Sequence, residues 1–90
     1  MTHVQHDAAN QQFTANVDGT LAQLDYQLDD GWMVITHTGV PQAIEGQGVA
    51  GQLVQAAFEH ARDNDLNVRP QCSYAAGWAE RHPEFSQQLG

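Results

Sequence analysis

Apolar positions first alternate with polar ones and later recur every three to four residues, and this change of period predicts strands followed by helix. In "QFTANV", residues 12–17, Phe13, Ala15 and Val17 fall on one face and Gln12, Thr14 and Asn16 on the other, the mark of a half-buried strand. Asp18-Gly19 follows, a dipeptide suited to the two-residue hairpin turn because both positions accept positive φ. "TLAQLDYQL" then sets Ala22, Leu24, Tyr26 and Leu28 against Gln23, Asp25 and Gln27, a second half-buried strand. A further tight turn at Asp29 to Gly31 leads into "WMVITHTGV", rich in β-branched residues and apolar on both faces at its start. The simplest arrangement is a three-stranded antiparallel meander.

Pro41 ends that ladder, because proline has no N–H to donate. Ala50, Leu53, Val54, Ala57, Phe58 and Ala61 then follow i, i+3, i+4 spacing, with Gln52, Gln55, Glu59 and Arg62 opposite, which predicts an amphipathic helix packed on the sheet. "DND" at Asp63 to Asp65 stops it. "LNVRPQC" reads as a short strand, and since it follows a helical crossover it should run parallel to the third strand. Ser73 can cap a last helix, "YAAGWAERH", which Pro83 ends before a final turn through Phe85. Residues 1–10 carry no periodicity and read as a flexible tail. The expected fold is α+β, three antiparallel strands followed by α-β-α.

Ninety residues allow one small core and one site, since a chain of this size buries only about 60% of the surface that its unfolded form exposes. The balance of three arginines, no lysine and eleven carboxylates gives a net charge of -8, which argues against nucleic-acid or anionic-membrane binding. Cys72 is the only cysteine, so an intramolecular disulfide is excluded and a reducing compartment fits. The opening residues have neither a basic nor an apolar leader segment, and the reading is a cytoplasmic protein, monomeric or weakly dimeric.

The chemistry concentrates at "IEGQGVAG", where Gly46, Gly48 and Gly51 crowd the start of the predicted helix. Glycine disfavours a helix by about 1 kcal/mol relative to alanine, so three of them there call for a reason. Read literally, the run matches G-x-G-x-x-G, but the dinucleotide motif follows a buried parallel strand directly and needs an acidic residue at the end of the next strand. Here "PQAIE" intervenes, the preceding strands are antiparallel, and the next strand ends in Gln71 and Cys72. The absence of lysine excludes a P-loop. What remains is the physics those motifs share. Free N–H groups and the helix dipole favour an anion, and glycines let a phosphate or pyrophosphate approach closely. A plain loop with a glycine cap is the alternative.

The stretch from Thr36 to Phe85 resembles the short, single-domain branch of the GNAT N-acetyltransferase superfamily, and the similarity covers most of residues 12–86. The superfamily's acetyl-CoA motif, Arg/Gln-x-x-Gly-x-Gly/Ala, is matched by Glu45, Gly48 and Ala50. The short branch adds His37-Thr38, Val40-Pro41, Cys72-Ser73-Tyr74 and His82-Pro83-Glu84. Glu45 departs from the motif, which usually has Arg or Gln there. The resemblance implies an acetyltransferase domain over residues 11–90, with acetyl-CoA as cosubstrate, no metal, and an amine acceptor that is a small molecule or a peptide. It implies a pantetheine arm along Thr38, Gly39 and Val40, and a pyrophosphate on the backbone of Gly46, Gln47, Gly48, Val49, Ala50 and Gly51. The thioester would then lie between the third strand and "VRPQC", beside Cys72.

Transfer to an amine requires removal of a proton from a group with an ordinary pKa of about 10.4 and departure of a thiolate near 8.5. His37 can serve as the base and Tyr74 as the proton donor in a direct route; Cys72 can be acetylated first in a covalent one. Each has a structural alternative: Cys72 as a small buried hydrophobe, His37 as an ordinary strand residue, Tyr74 packed on Trp78. A metal held by His3, His6, His60, Cys72 and His82 is disfavoured, because no close ligand pair falls on one ordered element. A CoA-binding module with little or no catalysis is the other functional reading.

Overall fold

The computed structural model describes residues 3–89; Met1 and Thr2 of the expected tail, and Gly90, lie outside the described residues. Its strands are β1 (Val4–Asp7), β2 (Gln12–Val17), β3 (Thr20–Asp29), β4 (Trp32–Gly39) and β5 (Asn67–Pro70), and its helices α1 (Val49–Asp63) and α2 (Ser73–Arg81). The five strands form one sheet in sequence order, antiparallel from β1 to β4 and parallel between β4 and β5. The α+β meander followed by α-β-α is therefore present, with one strand more than the periodicity predicted.

Two of the hairpin turns follow directly from sequence. Asp18-Gly19 has φ of 51° and 84° and Asp30-Gly31 has 49° and 86°, the paired positive values of a type I′ turn, whose twist matches that of the flanking strands. The tail expected over residues 1–10 is corrected by β1, whose register sets His6 opposite Phe13 and Val4 opposite Ala15. The His6 ring stacks on Phe13 at 4.2 Å between centroids and so performs the packing that an apolar residue would. The turn into β2 is closed by Asp7, which accepts bonds from the Asn10 amide at 3.2 Å and the Asn10 side chain at 2.9 Å.

One face of the sheet carries Phe13, Ala15, Ala22, Leu24, Tyr26, Met33, Ile35 and Val68, and these join Leu53, Val54, Ala57, Phe58 and Ala61 of α1 in one buried core. Val49, at the head of α1, is also buried, whereas Ala50, expected on the buried face, is half-buried. Leu28 is 53% exposed rather than buried, because β2 stops opposite Asp25 and leaves the far end of β3 without a neighbour on that side. α2 adds Ala75, Trp78 and Ala79, and Phe85 in the 3-10 segment Pro83–Leu89 closes the cluster against Phe58 and Trp78. The cap of α2 is Cys72, and Ser73 is its first helical residue, which corrects the expected serine cap. Among the described residues no helix is long and apolar enough to cross a membrane.

Candidate functional site

The site forms where the sheet parts. The parallel register ends at Ile35 opposite Pro70, and the next two amides, Gln71 and Cys72, both donate to the Ile35 carbonyl, at 3.0 and 3.1 Å. Two donors converging on one acceptor turn the chain away from β4 and into α2. β4 itself is bulged. Tyr26 pairs with Ile35 and Asp25 with His37, so Thr36 is an extra residue, fixed by its hydroxyl donating to the Asp25 carbonyl at 3.3 Å. Beyond the bulge, Thr38 pairs with Leu24 and so stands on the helix-bearing side, while His37 and Gly39 turn to the other side with Asp25 and Gln23.

On the helix-bearing side a cavity of about 580 Å³ is lined by Thr38 and Val40 from β4 and the residue beyond it, by Ile44 to Gly46, by Gly48 to Ala50, and by Tyr74. A short 3-10 turn, Gln42–Ile44, buries Ile44 and so anchors the loop that brings the glycines over the strand end. Gly46 and Gly48 have φ of +83° and +78°, a region where an L side chain is strained, and nothing lies within 4 Å of where a Cβ would point. Gly48 caps α1 without a side-chain bond. The amides of Val49, Ala50 and Gly51 are the first N–H groups of that helix, so they and its dipole present partial positive charge to the cavity. The cavity can therefore take an anionic group against backbone alone, in a chain with no lysine.

Gly51 has a different task. A Cβ there would meet the Tyr74 hydroxyl at 3.4 Å and the Trp78 indole nitrogen at 3.6 Å, ordinary contact distances, so this position is where α1 packs against α2. Tyr74, on the first turn of α2, lines the cavity and is 39% exposed. The ring partners of Trp78 are Phe58, His82 and Phe85, and its stack on His82 is the closest at 3.8 Å.

Cys72 is half-buried and its Sγ donates to Thr38 Oγ1 at 3.6 Å, which joins the two banks of the gap. It sits at the cap position of α2, close to the first amides of that helix. Burial pushes the thiol up, but hydrogen bonding to the Ala75 amide, the Thr38 hydroxyl and the Tyr74 and Thr38 amides outweighs it and holds the group below its ordinary value. A thiolate is favoured at a helix N-terminus, and thiolate is the nucleophilic form.

Of the residues singled out from sequence, the structure brings Thr38, Val40, Gly46, Gly48, Val49, Ala50 and Tyr74 to one cavity, with Cys72 bonded to Thr38 beside it. Gln47 is exposed outside the lining, Gly51 faces α2, and His37 and Gly39 lie on the opposite face of the sheet, where they line a separate depression. Ile44 and Glu45 also line the cavity; Glu45 is the first position of the motif matched in sequence, whereas only its place before the glycines pointed to Ile44. His6 and His60 meet edge to face at 4.4 Å, yet among the described residues no group of three His, Cys, Asp or Glu could hold a metal.

The family model described as "GCN5-related N-acetyl-transferase" matches residues 12–89. Protein NATD1 of Gallus gallus and of Homo sapiens are each 32% identical to this chain over 83 residues, which is 89% of this chain and 76% and 74% of theirs. An NMR solution structure of a GCN5-like protein from Staphylococcus aureus shares the fold at a TM-score of 0.74 and 31% identity, over 93% of this chain and 83% of that one. A match running from β2 through the glycine turn to the final 3-10 segment, with relatives at this level of identity, places the chain in the GCN5-related N-acetyltransferase family.

Proposed function

We propose that the protein transfers the acetyl group of acetyl-CoA to an amine. The observation that carries this reading is the cavity between the end of β4 and the glycine turn, with the Cys72 thiol and the Thr38 hydroxyl paired at its edge. Acetyl-CoA supplies an acyl group already activated as a thioester. Thr38 and Val40 would flank its pantetheine arm, and the amides opening α1 would take the pyrophosphate. Tyr74 in the cavity wall is the residue positioned to give a proton to the departing thiolate. Cys72, with its lowered thiol, supports a covalent alternative in which the acetyl group rests on sulfur before it reaches the amine.

Titration of labelled protein with acetyl-CoA tests the reading. Amide resonances from Gly46 to Gly51 should shift and the melting temperature should rise; unchanged resonances with unchanged melting would overturn it. Mass spectrometry after acetyl-CoA treatment separates the routes, because the covalent one adds about 42 Da to Cys72. Glu45 favours a second reading, a CoA-binding module with little catalysis, since its carboxylate lines the cavity that would hold a pyrophosphate. Turnover of any amine at a rate that depends on Tyr74 or Cys72 decides against the second reading.

A further inference from the structure

The face of the sheet turned away from the helices carries a polar site that the donor cavity does not use. Asp25, half-buried at the middle of β3, accepts from Gln12 Nε2 at 2.9 Å and from Gln23 Nε2 at 3.3 Å to each oxygen. Its direct cross-strand partner is His37, brought to this face by the bulge at Thr36. Asp25 takes part in no ion pair among the described residues, where Arg62 is bonded to Asp63 and Arg69 lies over the Trp32 ring at 4.5 Å. The carboxylate is thus oriented by two neutral amides and left without a cation.

A depression of about 320 Å³ lies on this face, lined by Leu21, Gln23, His37, Gly39, Val40 and Pro41; Asp25 is behind this lining, bonded to Gln23 and paired across the strands with His37. Gly39 leaves room for the His37 ring, whose Nε2 stands 3.0 Å from where a Cβ would be. Val40 lines both this depression and the donor cavity, so a single strand end separates the two. Beyond Ile35 that strand end has no backbone pairing on its β5 side, where the side-chain contact of Cys72 with Thr38 spans the gap. A group held on the open face therefore reaches the thioester position around a free edge.

We propose that Asp25 is the specificity-determining residue for the acceptor, and that this depression takes a primary amine as its ammonium ion, with the charge on the Asp25 carboxylate and His37 beside it. The inference rests on the acetyltransferase reading for its chemistry. Neutral His37 takes one proton from the ammonium; the freed nitrogen pair forms a bond to the thioester carbonyl carbon. The C–S bond then breaks with its electrons on sulfur, Tyr74 gives the thiolate a proton and regains one from the nitrogen, and His37 releases its proton to water. The products are amide, free thiol and one proton. The carboxylate and the chain's charge of -8 both favour a cationic acceptor over a neutral one.

The probe is 1,5-diaminopentane, compared with 1,5-pentanediol, on the full chain without acetyl-CoA. The diamine should shift the side-chain resonances of Asp25 and His37 in the wild-type protein and the diol should not; equal effects, or none, overturn the proposal. In the transfer assay, Asp25→Asn should raise KM for the diamine at least tenfold while kcat changes less than threefold and acetyl-CoA affinity is unchanged, with Asp25→Glu recovering part of the loss. An unchanged KM overturns the proposal while leaving the acetyltransferase reading intact. Conversely, diamine binding at Asp25 in a protein that fails to bind acetyl-CoA supports the cation site and refutes the donor reading alone.

Discussion

The Cys72 sulfur lies 3.6 Å from the Thr38 hydroxyl, so the residue that caps α2 and the end of β4 are tied across the gap where the sheet has parted. The tie has a chemical consequence. Burial raises the thiol, but the Ala75 amide, the Thr38 hydroxyl and the neighbouring amides stabilise the thiolate and lower it overall. Alkylation by iodoacetamide, which follows the thiolate, should reach half its maximal rate at a lower pH than free cysteine, whose thiol titrates near 8.5. Thr38→Val removes one donor and should slow alkylation at neutral pH by roughly threefold, the effect of about one weak hydrogen bond. A midpoint at or above that of free cysteine would refute this account of the site.

Gly48 and Gly51 should respond to alanine with opposite signs. Gly48 sits at φ +78° with open space around the missing Cβ, so Gly48→Ala introduces backbone strain alone, about 1 kcal/mol. In a domain of this size that lowers the melting temperature by about 4–8 °C. Gly51 is inside α1 with ordinary helical geometry, and a methyl group would meet Tyr74 and Trp78 at contact distance. Gly51→Ala should therefore be neutral or stabilising by up to about 1 kcal/mol, the helix-propensity gain. Thermal denaturation of the two variants checks the contrast, and a larger loss at Gly51 than at Gly48 would contradict it.

Glu45 provides the electrostatic test. It is exposed and lines the cavity beside Gly46, where a bound pyrophosphate would meet a like charge that no lysine offsets. Glu45→Gln should tighten CoA binding by roughly threefold, within the range expected of one exposed charge interaction. Wild-type affinity should improve as salt rises, because screening shortens to about 8 Å at physiological ionic strength and below that in stronger salt. Calorimetric titration at two salt concentrations reads both effects; an affinity that falls steadily with salt in both proteins counts against a repulsive Glu45.

Much of this architecture is legible in the chain because its signals are local. Asp18-Gly19 and Asp30-Gly31 specify their turns through backbone conformation, and the α1 face from Leu53 to Ala61 is fixed by period. β1 escaped notice because His6 fills an apolar position with a polar residue type, and its stacking on Phe13 exists only once the strands have paired. The side taken by His37 was equally hidden. A single inserted residue, Thr36, decides whether His37 or Thr38 faces the cavity, and a bulge of one residue leaves no compositional trace. In sequence the glycine run looks like one device, yet Gly46 and Gly48 supply conformation while Gly51 lies at the contact of α1 with α2. That division depends on where α2 packs, a long-range fact.

The His6 cluster makes stability depend on pH in a definite direction. His6 Nε2 is 2.6 Å from the Tyr26 hydroxyl, its ring lies on Phe13, and His60 stands edge-on at 4.4 Å. Burial and the nearby His60 lower the His6 imidazole against a smaller opposing pull from Asp7, while burial and Asp7 raise the Tyr26 phenol. The folded protein thus favours neutral His6, and the unfolded chain binds the additional proton. The stabilisation is complete above the unfolded value of about 6.5 and is lost as pH falls through the lower folded value. His6→Phe keeps a ring on Phe13 but removes the titration, so its stability should fall less between pH 7 and pH 5 than that of the wild type. Urea unfolding at the two pH values measures the difference between the proteins, in which the histidines remote from residue 6 contribute equally. Protection of the amides at Val4 and residue 6, corrected for the intrinsic pH dependence of exchange, should fall with acidification more in the wild type than in His6→Phe, since protonation weakens the contact that holds β1 on the sheet. Equal pH dependence in the two proteins would show that His6 packs without titrating.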